Sequence, residues 1–107
     1  VLGRLGEELD VEAGREAAEL AALSALATLR HELGTLDAVA RIVSLRASIN
    51  ATPGFSAHTQ VADAASELLV AVFGERGHHA RIALGVSSLP VNLALELELL
   101  VEVTPPG

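Results

Sequence analysis

One stretch constrains the fold more than any other. Leu93, Leu95, Leu97, Leu99, Val101 and Val103 alternate with Ala94, Glu96, Glu98, Leu100 and Glu102. Side chains along a strand point to opposite faces in turn, so this pattern predicts a strand with one apolar face and one largely acidic face. Two further strands are expected. In Ala38–Ile49, the odd positions Val39, Val43, Leu45, Ala47 and Ile49 are apolar, although Arg41 is not. The even positions Ile42, Ser44, Arg46 and Ser48 form a half-polar face. Arg81–Val86 places Ile82, Leu84 and Val86 on one side and Arg81, Ala83 and Gly85 on the other.

Two helices separate and precede these strands. Asp10 is a suitable N-cap, Glu12 and Glu16 fall in the early turns, and Gly34 stands where a helix ends. Between them Leu20, Leu23, Leu26, Leu29 and Leu33 occupy one broad side, and Ala17, Ala18, Ala21 and Ala25 much of the other. A helix this apolar is expected to be sandwiched. The second helix, Ala57–Phe73, carries Val61, Ala65, Leu68, Leu69 and Val72 as one stripe and stops at Gly74 and Gly77. Leu68 and Leu97 are expected to be fully buried between helix and sheet. The order helix, strand, helix, strand, strand is an α+β fold with both helices on one sheet face.

The length suits a single domain, residues 1–107, able to bury about two-thirds of its unfolded surface. A mean hydropathy of +0.46 with 20% charged residues argues against disorder. The chain has no Cys, Met, Trp, Tyr or Lys. Thiolate nucleophiles, zinc–cysteine sites, Schiff-base lysines and P-loop lysines are therefore excluded. Seven Arg against fourteen Asp and Glu give a charge of −7. That acidity, with two aromatic residues, excludes the basic stripe and stacking platform of a nucleic-acid binder. No uncharged apolar run approaches the roughly 18–20 residues of a membrane span. Val1–Asp10 carries Arg4, Glu7 and Glu8 and does not read as a leader. The expected setting is cytoplasmic. The first residue is Val, so the chain is expected to be N-terminally incomplete. Thr104-Pro105-Pro106-Gly107 reads as a strand stop.

Catalytic motifs are sparse. Gly85-Val86-Ser87-Ser88-Leu89 lacks the last glycine of a nucleophile elbow. His58, His78 and His79 do not form a metal-binding spacing, so neither metal nor cofactor is expected. Asn50-Ala51-Thr52 matches a glycosylation sequon but is followed by Pro53, and it is discounted. A retaining-glycosidase pair at Glu96 and Glu98 is disfavoured, because Arg81 would keep both ionised.

The sheet face away from the helices is more informative. It is expected to show Ile42, Ser44, Arg46, Ser48, Arg81, Ala83, Gly85, Glu96, Glu98, Leu100 and Glu102. A turn at Ser87–Val91 would pair the last two strands and set Arg81 across from Glu96 or Glu98, where a carboxylate can hold it bidentately. Two readings follow. One is a solvated polar face with ordinary cross-strand ion pairs. The other is a subunit interface with a polar pocket, favoured by the small and apolar residues beside Arg81.

From Asp10 onward the chain resembles the RidA/YjgF family of reactive-intermediate deaminases, long labelled "endoribonuclease L-PSP". The resemblance rests on Ala21-Ala22-Leu23-Ser24-Ala25-Leu26, Leu33-Gly34-Thr35-Leu36-Asp37 and Ile49-Asn50-Ala51-Thr52-Pro53-Gly54-Phe55. It continues through Ala65–Gly74, His79-Ala80-Arg81, Leu89-Pro90 and the Glu96-x-Glu98 strand. Gly3-Arg4-Leu5-Gly6 resembles the stretch that precedes the first helix in one subgroup. The resemblance implies a chorismate-mutase-like fold and a homotrimer with sites in the clefts between subunits. The family's N-terminal β-hairpin is missing from this chain. It implies Arg81 as the grip on a substrate carboxylate and Glu96 as the residue that places water. Ser48, Asp63 and Glu98 are implied as further substrate contacts, with Asp63 standing where many active members have Asn. The activity implied is hydrolytic deamination of 2-imino or enamino acids. The alternative is a trimer that binds small carboxylates, such as 2-oxo acids, without catalysis. RNA cleavage, the older label, conflicts with the charge and the lack of lysine.

Overall fold

The computed structural model describes residues 1–105. Helix α1 spans Val11–Leu33, and both expected caps are present. The Asp10 carboxylate accepts the Ala13 N–H at 2.9 Å. Gly34 takes a left-handed φ of 82° while its N–H returns to the Arg30 carbonyl, a geometry that favours glycine. Strand β1 is Val39–Asn50, helix α2 His58–Phe73, strand β2 Ala80–Val86 and strand β3 Leu95–Val103. Short 3-10 turns fill Leu36–Ala38, Gly74–Gly77 and Pro90–Asn92. The expected terminal stop falls partly on Pro106 and Gly107, outside the described residues.

The sheet is mixed, in the order β2-β1-β3, with β1 parallel to β2 and antiparallel to β3. This corrects one expectation. The last two strands do not form a hairpin; they flank β1. Arg81 therefore stands beside Leu45, and the register partners of Glu96 and Glu98 are Ser48 and Arg46. The physical reason lies in the connection. Tight hairpins use a short Gly- or Asn-rich turn, whereas this link is long and carries Pro90. Val91 and Asn92 then adopt left-handed φ values of 49° and 56°. They carry the chain across the end of β1, where Asn50 fastens it.

Asn50 is fully buried. Its side-chain amide donates to the Leu93 carbonyl at 3.0 Å, Asn92 Oδ1 at 3.1 Å and the Gly3 carbonyl at 3.4 Å. The N-terminal segment is bound in the same place. Leu5 N–H donates to the Asn50 carbonyl, and Ala94 N–H to that of Val1. Backbone N–H groups, including that of Arg4, hold the nearby Glu8 carboxyl below its ordinary range. Asn50 is thus a structural knot, and its burial agrees with discounting the sequon.

Both helices lie on one face of the sheet, as the resemblance implies. Helix α1 packs on α2 and β3, and α2 packs on α1, β1 and β2. The face they cover presents Ile42, Leu45, Ala47 and Ile49 from β1 and Leu95, Leu97, Leu99 and Val101 from β3. Two expectations about faces are corrected. A register shift between Ile42 and Ser44 lets Ile42 turn into the core. Strand β2 is also turned over. Arg81, Ala83 and Gly85 face α2, and Ile82, Leu84 and Val86 share the open face with Arg46, Ser48 and Asn50 in register. A Cβ on Gly85 would run into the His58 ring at the start of α2. The small residues of β2 therefore leave room for the helix.

Helix packing follows the same logic. Gly14, Ala17, Ala18, Ala22 and Leu26 are the buried residues of α1, whereas Leu20 and Leu23 are exposed. The alanine side faces inward because small residues let two helices approach closely. A Cβ on Gly14 would lie 2.7 Å from Leu5 Cδ1 and 2.9 Å from Val61 Cγ2. On α2 the fully buried stripe is Val61, Ala62, Ala65 and Leu69. Leu68 and Leu97 are only half-buried at the margin of the core, short of the full burial expected.

Candidate functional site

Arg81 is the second residue of β2, the edge strand of the sheet, and its side chain lies under α2. Asp63 and Ser66, three residues apart, sit on one face of that helix. Arg81 Nη1 donates to Asp63 Oδ1 at 2.8 Å and to Ser66 Oγ at 3.1 Å. The Arg81 side chain is 22% exposed and that of Asp63 41%. Both bonds use the same nitrogen. Nη2 and Nε have no hydrogen-bond partner among the described residues, so a planar fork remains for a carboxylate.

His79 completes the cluster. It lies two residues before Arg81, and that spacing brings both to one side of the chain. Its Nδ1 is 2.6 Å from the Gly77 carbonyl, and its Nε2 is 2.9 Å from Ser66 Oγ. Ser66, Val70, His78, His79 and Arg81 line a cavity of about 240 Å³. The loop that supplies Gly77 is seated tightly, because a Cβ there would collide with the Leu69 carbonyl of α2. Sequence reasoning set His78 and His79 aside with the metal question and gave Ser66 no role. The spacings Asp63-x-x-Ser66 and His79-x-Arg81 were the available signals.

The other expected site residues lie elsewhere. Ser48, Glu96 and Glu98 are on the open face, with Glu96 opposite Ser48 and Glu98 opposite Arg46. Arg81 and Glu96 are thus on opposite sides of the sheet, with β1 between their strands. Of the five, Arg81 contacts Asp63 and Glu96 stands opposite Ser48, as two separate pairs. The open face has a depression of about 500 Å³, where Ser44, Arg46 and Glu98 meet Ile82 and Leu100, and Arg81 also lines it from the edge strand. Ile82 and Leu100 are 57% and 60% exposed. His58 packs edge-on against Phe55 beside Gly85, at the far end of β2 from His79. His58 therefore lies away from His78 and His79, which line one cavity.

Comparison with known proteins decides the family. The family described as "YjgF/chorismate mutase-like, putative endoribonuclease" matches residues 1–103. The chain belongs to this family. The chain is 44% identical over 101 residues to Protein TCP17 of Trypanosoma cruzi. That match covers 94% of this chain and 63% of TCP17. A crystal structure of an Agrobacterium tumefaciens protein of unknown function superposes with a TM-score of 0.95 at 37% identity, over 97% of this chain and 66% of that one. A "putative endoribonuclease" from Shewanella oneidensis superposes with a TM-score of 0.92 at 32% identity, over 95% of this chain and 68% of that one. The YjgF-type fold of two helices on a mixed sheet is therefore shared along nearly the whole chain, which spans about two-thirds of the length of these relatives. Among the described residues no helix is long and apolar enough to cross a membrane.

Proposed function

We propose that this protein binds small 2-oxo and 2-imino acids by their carboxylate at Arg81 and promotes hydrolysis of the imine. The observation that carries this reading is the Arg81 geometry. Asp63 and Ser66 orient the guanidinium through one nitrogen, and the remaining donors stay available beside a small cavity. A guanidinium fixed in this way matches a carboxylate in two-point geometry, which a lysine does not reproduce. Holding the carboxylate also presents the adjacent C=N carbon in a fixed orientation to water. Neither metal nor cofactor enters the step.

The assembly in this reading is a homotrimer with the sites at subunit boundaries. Two features support it. Arg81 sits on an edge strand, and the open face exposes Ile82 and Leu100 around Arg46 and Glu98. An apolar patch rimmed by charge is suited to a second copy. Glu96 lies on the face opposite Arg81, so it reaches an Arg81 site only across such a boundary. The same separation favours a second reading, a trimer that binds 2-oxo acids without turning them over. RNA cleavage finds no support in a chain of charge −7 without lysine.

The test generates 2-iminobutyrate with an amino-acid oxidase and follows its decay with and without the protein. Acceleration that disappears in Arg81→Lys supports the deaminase. Binding of 2-oxobutyrate without acceleration, lost in Arg81→Lys, supports the binding trimer. Equal 2-oxobutyrate affinity in the wild type and Arg81→Ala rejects Arg81 as the site.

A further inference from the structure

The proposed chemistry needs a group to take a proton from water and return it to the departing nitrogen. Within one chain Glu96 is on the wrong side of the sheet. The cluster beside Arg81 contains another candidate, and with the His79 ring neutral its hydrogen bonds have only one consistent direction. The Gly77 carbonyl can only accept, so His79 Nδ1 carries the proton in that 2.6 Å bond. A neutral ring then has its lone pair on Nε2, facing Ser66 Oγ at 2.9 Å. Arginine can only donate, so the 3.1 Å bond from Arg81 Nη1 ends on the Ser66 oxygen. The Ser66 hydroxyl proton is left to point at His79 Nε2.

We infer that Ser66 and His79 form the proton relay of the Arg81 site. This rests on the deaminase reading. Ser66 touches the reacting water, and His79 acts through Ser66 as the terminal base. A 2-imino acid clamped at Arg81 places its C2 one bond from the held carboxylate, alongside Ser66. Water adds to C2 of the protonated imine, C=NH2⁺, and the C=N π pair moves to nitrogen, which becomes a neutral amine. As the C–O bond forms, a water proton passes to Ser66 Oγ while the Ser66 proton passes to His79 Nε2. The neutral carbinolamine then takes that proton back, from His79 through Ser66 to its amino nitrogen. An oxygen lone pair forms C=O, the C–N bond breaks, and ammonia leaves with its electron pair. The hydroxyl proton goes to solvent and is recovered as ammonium. The products are a 2-oxo acid and ammonium, and Ser66 and His79 end as they began.

The surroundings fit this role. Besides Arg81, the charged or titratable groups nearest the relay are Asp63 on α2 and His78 on the loop. Asp63 is engaged by Arg81. Glu67, next to Ser66 in sequence, is paired with Arg15 of α1 at 2.8 Å. The close seat of Gly77 on α2 fixes the carbonyl that sets the His79 tautomer.

The test measures imine decay and 2-oxobutyrate affinity for the wild type, His79→Gln and Ser66→Ala. Glutamine keeps a hydrogen-bonding group near Ser66 but is not a base. General acid–base groups contribute about 10²–10⁴-fold, so His79→Gln is expected to lower kcat by about 100-fold or more. Its 2-oxobutyrate affinity should stay within about twofold of the wild type, because Arg81 still holds the carboxylate. Added imidazole should restore part of the rate to His79→Ala, a response that lost packing alone does not give. Ser66→Ala cuts the same relay without touching the loop, and covers the case that His79 variants fold poorly. The relay is overturned if the wild type accelerates decay while both His79→Gln and Ser66→Ala retain kcat. It is also overturned if kcat falls in Glu96→Gln but not in the relay variants. A wild type that leaves imine decay unchanged overturns the deaminase reading and the relay together.

Discussion

The two faces of this sheet are written by the same three strands and do opposite work. The helix-covered face holds Ile42, Leu45, Ala47 and Ile49 at almost no exposure, with one charged side chain, Arg81, admitted at its edge. The open face carries Arg46, Glu96 and Glu98 and leaves Ile82 and Leu100 more than half exposed. On the covered face polarity is rare and hydrogen-bonded. On the open face polar and apolar groups are mixed and wait for a partner or for solvent. The difference shows where a charge can be held in one pose. Arg81 is oriented because α2 brings Asp63 and Ser66 to it, whereas the Arg41–Glu102 pair on the open face is 3.7 Å apart with both side chains 58% exposed.

Substitutions matched across the two faces sharpen this contrast. The largest effect is expected from Leu45→Ala, which empties a fully buried site and should cost about 2–5 kcal/mol in urea unfolding. Leu100→Ala on the open face should cost well under about 1 kcal/mol for an isolated chain. Light scattering should show Leu100→Arg weakening self-association. Similar losses of stability for Leu45→Ala and Leu100→Ala at concentrations where the protein is a monomer would erase the distinction between the faces.

Asn50→Ala tests the knot at the end of β1. It strips two buried carbonyls of their donor and should cost about 1–3 kcal/mol, with hydrogen exchange rising at Leu5 and Ala94 first. Exchange rising instead across α1 would mean that the N-terminal segment is not fastened there. A smaller change, about 1 kcal/mol, is expected from Asp10→Ala, which removes the α1 cap far from either face.

The smallest difference is between the two ion pairs. A double-mutant cycle on Asp63 and Arg81 should give a coupling of up to about 1 kcal/mol, discounted for the partial exposure of Asp63. The same cycle on Arg41 and Glu102 should give a value near zero, about 0–0.3 kcal/mol, falling further in salt. A stronger Arg41–Glu102 coupling would show the open face to be organised in the monomer.

Much of this was legible because short-range physics set it. The α1 caps at Asp10 and Gly34 depend on one side chain and one φ value, and both stand in the sequence. The faces of β3 follow from strict alternation, and Leu95, Leu97 and Leu99 do face the helices while Glu96 and Glu98 do not. It was the family resemblance, not short-range physics, that implied Arg81 and Asp63 as contacts of one ligand, and their side chains are 2.8 Å apart. The alternation within β2 was also correct, but its facing was not. Ile82, Leu84 and Val86 look like a core face and are not one.

Alternation determines which residues share a face; only the tertiary structure decides which face is covered. A strand's own periodicity is unchanged by a half-turn about its axis, so β2 could be placed only by its parallel register with β1 and by the room that Ala83 and Gly85 leave for α2. The hairpin between β2 and β3 failed for a related reason. Strand order is a property of long-range pairing, and the buried Asn50, which ties Gly3 to Leu93 across nearly the whole chain, leaves no periodic signal. Local sequence therefore determined the elements, their caps and the identity of the guanidinium. The pairing around β1 decided that this guanidinium meets Asp63, Ser66 and His79 rather than Glu96.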